Sequence, residues 1–173
     1  TYTKYSMNFP DLGDPYFTTE CETKRFYYNM GGAPELYLDG TYYGNKYIDN
    51  EYFNNQYKVP ALANVRGAFT VEGNTIKVIA DFMTYFDANN VKAYIAVNEK
   101  TTTGNVGSNG EKEFHHIMLK FLNDANGNTL NINAGEHKRL EFSYDMSQTF
   151  MEDINDLEVA LWLQDNETKE VYN

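Results

Sequence analysis

The chain has 173 residues, 42% hydrophobic and 16% aromatic, with 14 basic against 25 acidic side chains and a formal net charge of -11. That acidity repels phosphate backbones and anionic lipid surfaces, which excludes nucleic acid as a partner. The aromatic share provides for a folded core, which disordered chains cannot build, and no apolar run reaches the roughly 20 residues of a membrane-spanning helix.

Fifteen tyrosines and eleven phenylalanines against one tryptophan favour strands over a helical bundle. Residues 1–9, TYTKYSMNF, suit a short strand that Pro10 stops. Asp14 then reads as an N-cap and Pro15 as the first residue of a helix running to about Asn29, with Glu20 and Glu22 near its positive end. Phe17, Cys21 and Tyr28 share a face of that helix, and Gly31-Gly32 end it. Cys21, the single cysteine, reads as a small buried apolar residue and not as a reactive thiol. Glu35 to Leu38 is a short strand after Pro34, and Asn45 to Tyr57 a helix with Tyr47, Ile48, Glu51, Tyr52 and Asn55 at helical intervals.

The order helix, Gly-x-Pro, short strand, Asp-Gly, helix resembles the second half of a thioredoxin fold. That resemblance implies that Pro34 is cis. The departure is the missing Cys-x-x-Cys, together with the absent first strand and helix, so the segment is expected to be a fragment whose sheet is completed by upstream residues or by a partner chain.

Val59-Pro60-Ala61 reads as a hinge, and beyond it the hydrophobic period becomes two. Ala68–Glu72 and Thr75–Met83 form a hairpin around Gly73-Asn74, with Ile76, Val78, Ala80 and Phe82 on one face. Further strands are expected at Val91–Val97, Phe114–Leu122, Thr129–Ile132, His137–Met146, Leu157–Asn166 and Thr168–Tyr172, with a mobile loop over 101–113. Leu157–Asn166 has the character of a central strand. The expected class is therefore α+β: a partial thioredoxin-like segment at 1–58, a linker at 59–65 and an all-β immunoglobulin-like sandwich of about seven or eight strands at 66–173.

No run of residues specifies a reaction. His115 and His116 are adjacent on a strand and point to opposite faces, so they cannot easily chelate one ion, and no metal site is predicted. Asp124, Asn126 and Asn128 have calcium-loop spacing but lack the closing glutamate, and read as a turn. No nucleophile elbow, phosphate loop or dinucleotide fingerprint is present, so neither catalytic residues nor a cofactor are expected. The tyrosine-dense run from Tyr37 to Tyr57 is the best candidate contact surface, with Tyr42, Tyr43, Tyr47 and Tyr52 as its exposed members; the competing reading has these rings cover the missing half-domain.

Taken together, DPYFTTECETKRFYYNMGGAPELYLDG, then FHHIMLKFLNDANG, then LEVALWLQDNETKEVYN resembles the 28-kDa outer-membrane protein family of Bacteroidetes over nearly the whole chain. The resemblance implies export to the periplasm or outer-membrane surface, lipid anchoring of the full-length protein, and no established reaction. The expected function is non-catalytic binding of an envelope or host protein or glycan. The alternative is a thiol-disulfide oxidoreductase whose Cys-x-x-Cys lies upstream of residue 1.

Overall fold

In a computed structural model of the chain, residues 2–10, 12–44 and 49–173 are described. Helix α1 spans Thr19–Tyr28, followed by β1 (Leu36–Leu38), β2 (Thr41–Gly44) and helix α2 (Asn50–Tyr57). The remaining strands are β3 (Ala63–Glu72), β4 (Thr75–Thr84), β5 (Ala88–Thr102), β6 (Phe114–Phe121), β7 (Asn128–Ile132), β8 (His137–Asp145) and β9 (Leu157–Asp165).

The expected α+β class is corrected. The chain is mostly β: its named strands pair antiparallel throughout, and only two α-helices stand beside nine strands among the described residues. Helix, proline and short strand follow one another locally in the N-terminal third, but long-range antiparallel pairing commits most of the remaining chain to strands. Of the strand expected at residues 1–9, the described residues form one bridge, Lys4 to Ile117. The helix starts four residues past Pro15 because the Thr18 hydroxyl accepts the Cys21 N–H (3.2 Å) and takes the N-cap role given to Asp14. It ends at Asn29, whose left-handed φ of 54° closes the last turn. Asp49 caps α2 from its side chain.

Alternation builds two sheets. β3, β4 and β8 form one in that order, and β6, β5, β7 and β9 form the other around β5. Ile76, Val78, Ala80 and Phe82 of β4 meet Ala93, Ile95 and Val97 of β5 and Leu157 and Leu163 of β9 in a common core. The central strand is therefore β5 and not Leu157–Asn166: among the described strands β5 pairs with three, whereas β9 pairs with β5 alone. The last strand expected, Thr168–Tyr172, contracts to a bridge between Val171 and Gln164.

The outer face of the β5 sheet is covered as well. Tyr94 and Ala96 of β5, Met118 and Phe121 of β6 and Ala160 of β9 pack with Cys21 of α1, and Tyr5, Phe17 and Trp162 close this second cluster. Helix α1 thus lies on the back of the four-stranded sheet as a third layer. From the same N-terminal segment Tyr16 enters the main core, edge-on to Phe114 at 5.2 Å, with its hydroxyl donating to Glu152. Glu152 in turn accepts the N–H groups of Thr103 and Gly104 (2.8 Å each), which anchors the start of the loop at 103–113, shorter than the expected 101–113 because β5 runs on to Thr102.

Candidate functional site

The β1–β2 hairpin stands out from these layers and is held to them by the residues after β9. Asp39 (φ 48°) and Gly40 (φ 84°) make its tip in left-handed conformations, and the Val171 N–H donates to the Asp39 carbonyl (3.0 Å). A Cβ on Gly40 would sit 1.6 Å from the Lys169 carbonyl oxygen, so only glycine lets the two segments meet. Where hairpin, C-terminal segment and the end of α1 converge, they enclose an open groove of about 480 Å³ lined by Tyr28, Glu35, Tyr37, Tyr42, Thr168 and Lys169 among others.

Its wall is aromatic and continuous. The Tyr28 and Tyr37 rings lie 4.5 Å apart and the Tyr37 and Tyr42 rings 5.5 Å apart, with Tyr27 edge-on to Tyr28 at 4.9 Å. Pairs at these separations hold one another in place. Tyr42 is the outermost ring, 56% exposed.

The polar groups of the wall are tied down. Glu35 accepts the Gly31 and Gly32 N–H groups with one oxygen (3.0 Å each) and the Tyr37 hydroxyl with the other (2.9 Å), bracing the turn that carries the cis Ala33–Pro34 peptide. Lys169 (φ 67°) donates from Nζ to the Tyr27 carbonyl (2.6 Å), and its ammonium lies 5.2 Å from the Tyr27 ring. The fully buried amide of Gln164 donates to the Tyr28 hydroxyl (3.0 Å) and to the Lys169 carbonyl (2.7 Å). Burial, and for Tyr37 also the Glu35 carboxylate, pushes the Tyr28 and Tyr37 hydroxyls above the usual phenol range. What results is an aromatic surface whose Glu35 carboxylate and Lys169 ammonium are held by neutral hydrogen-bond partners, suited to shape recognition.

The sequence-predicted residues are distributed unevenly around it. Tyr42 lines the groove. Pro34 lies exposed in the turn below it. The Tyr43 and Tyr52 rings lie 4.4 Å apart, tilted by 44°, and Tyr43 donates to Asp49, so this pair fixes β2 to α2 and does not enter the groove. Tyr47 lies outside the described residues. Tyr28, Glu35, Thr168 and Lys169 were not anticipated; Lys169 is 142 positions from its partner Tyr27, a juxtaposition that no local pattern announces.

The other candidate constellations are spent in structure. His115 pairs with Glu113 (3.0 Å) and His116 with Glu158 (2.7 Å), each imidazole with a different carboxylate. Asp124 accepts both the backbone and side-chain N–H of Asn126, closing a turn. Cys21 is fully buried, and burial pushes its thiol up. Glu99, buried, receives the Glu152 and Asp153 N–H groups and pins the turn before β9. No cluster of three or more His, Cys, Asp or Glu suited to a metal occurs among the described residues, and none of the described helices is long and apolar enough to cross a membrane.

No family model and no curated protein matches the chain. Among solved structures, the chain is similar to HBP35 of Porphyromonas gingivalis, a Bacteroidetes protein, at 14% identity and a TM-score of 0.72, with 90% of this chain and 56% of that chain covered. The chain thus spans little more than half of that protein, and at this identity the two are related in fold.

Proposed function

We propose that this chain is part of a non-catalytic, exported cell-envelope protein of the 28-kDa outer-membrane type, and that its tyrosine groove binds a protein or glycan partner. The observation that carries the reading is the row of Tyr28, Tyr37 and Tyr42 along an open groove whose one carboxylate, Glu35, has both oxygens hydrogen-bonded. Tyrosines offer large contact area with few torsions to freeze, and rings already held by neighbours lose little further entropy when a partner docks. Glu35, the one carboxylate of the groove lining, has both oxygens occupied by structural donors, which favours recognition over acid-base chemistry. The fold shared with a Bacteroidetes protein agrees with an origin in that family.

The test is binding of the purified chain to defined arrays of surface polysaccharides and of extended peptides. Tyr42→Ala should weaken the tightest interaction by about tenfold or more, equivalent to about 1.4 kcal/mol, while Tyr52→Ala leaves it unchanged. Equal binding by wild type and Tyr42→Ala would contradict the assignment.

A further inference from the structure

β3 lies at an edge of its sheet. β4 pairs with it on one side, residue for residue from Ala63↔Thr84 to Glu72↔Thr75, with no bulge. On its other side, among the described residues, the main chain is engaged only at its start, where the Leu62 and Ala63 N–H groups donate to the Tyr172 carbonyl. Arg66 through Thr70 are exposed. Long open edges template further pairing, and proteins blunt them with proline, a bulge or an inward-pointing charge. β3 has none of these: its inward positions, opposite Phe82, Ala80, Val78 and Ile76, are Val65, Gly67, Phe69 and Val71. Phe69 sits on that apolar side yet is 41% exposed at the rim of the sandwich.

The hydrogen-bonding parity of the edge follows from the turn. Gly73-Asn74 is a two-residue connection with φ 61° at the glycine, so Glu72 and Thr75 form the closing hydrogen-bonded pair. Counting back by twos, Thr70, Ala68 and Arg66 aim their N–H and C=O groups at β4. Val71, Phe69, Gly67 and Val65 aim theirs at the open edge. The outward bond of Ala63 to Tyr172 has the same parity.

We propose that β3 pairs antiparallel with β3 of a second copy about a two-fold axis through Phe69, joining two three-stranded sheets into one. In this register Phe69 faces its own counterpart, Gly67 faces Val71 of the second copy, and all of them present edge-directed N–H and C=O groups. The charges select the same register. Arg66 and Glu72 are equidistant from Phe69 and share the solvent face, so the axis sets each Arg66 opposite the other copy's Glu72, a favourable cross-strand pair formed twice. Arg66 forms no ion pair among the described residues, its Nε donating to Asn64 (3.2 Å); Glu72 holds Lys77 with one carboxylate oxygen (2.6 Å) and has a second to offer. Pairing also covers the exposed Phe69 ring.

The test is the mass of the purified chain by light scattering over a concentration series at about 0.15 M salt, where a Debye length of about 8 Å screens the net charge. The wild type should reach twice the chain mass. Arg66→Glu and Glu72→Arg should each raise the dissociation constant about tenfold or more, and the double reversal should restore it; both positions are exposed, and circular dichroism checks that the variants fold. Phe69→Cys should form an intermolecular disulfide, because directly opposed hydrogen-bonded residues have Cα atoms about 5.5 Å apart. Val65→Cys should not, since its two copies would be on the order of 27 Å apart at about 3.4 Å per residue. A chain that stays monomeric, a dimer indifferent to the charge reversals, or a strand from a different protein found on β3 would overturn the proposal.

Discussion

Lys24 is the residue whose placement most strains ordinary rules. It is fully buried on the inner face of α1, with its Nζ 3.4 Å from the centre of the Tyr94 ring and within reach of Tyr27 and Phe121, and among the described residues it has no hydrogen-bond partner. Two effects oppose each other. A cation over aromatic faces gains about 0.5–2 kcal/mol, but withdrawing the ammonium from water costs more, and burial lowers its pKa to about 6 despite the nearby Asp124. Burial wins, so the amine is neutral at pH 7. Because the unfolded chain protonates this lysine up to about pH 10 and the folded one only below about 6, the unfolded state binds the extra proton between those values. Lys24 therefore subtracts stability that returns as pH rises from about 6 to 10. Lys24→Met should stabilise the chain by about 2 kcal/mol at pH 7 and flatten the rise in stability across that window, measured by denaturant melts at several pH values. A variant no more stable than wild type, with the same pH slope, would show that the amine is solvated. Nothing in the sequence marked this residue: Lys24 looks like any helix-surface lysine until the tertiary layers close over it.

At the scale of elements, the groove depends on how the β1–β2 hairpin meets the residues after β9. Gly40 is the point of contact, left-handed and without room for a Cβ. Gly40→Ala should cost about 1–3 kcal/mol and displace the 168–171 segment, with faster amide exchange at Val171; Gly31→Ala, which meets nothing within 4 Å and has no left-handed φ, should stay within about 0.5 kcal/mol of wild type. Equal melts for the two variants would mean that the hairpin is not clamped. The strands of the sandwich were largely legible, since alternation such as Ile76, Val78, Ala80 and Phe82 reports burial on one face directly. β5 was harder to read as the hub because it is buried on both faces, with Ala93 and Ile95 in one core and Tyr94 and Ala96 in the other, and this erases the alternation that the sequence reading relied on. The same loss of contrast made β9 look central: its Leu157, Val159, Leu161 and Leu163 face gives a clean signal precisely where partners are few.

For the molecule as a whole, two surfaces follow from one arrangement of layers. Helix α1 covers the back of the β5 sheet and ends at the tyrosine groove, while β3 leaves the front sheet open at its edge. Of the groove, the sequence disclosed Tyr37 and Tyr42 through the density of tyrosines, and nothing of Lys169, Thr168 or the role of Tyr28, because those residues meet only through the fold. The class was misread for a related reason: the local order of helix, proline and strand was informative, but the proportion of the chain committed to strands was decided by long-range pairing. The most direct test of the account is hydrogen-deuterium exchange on the chain with its tightest array ligand bound, compared with the free chain. Slower exchange confined to residues 35–44 and 168–171 is the predicted result. Protection appearing elsewhere, with those two segments unchanged, would contradict the tyrosine groove as the binding site.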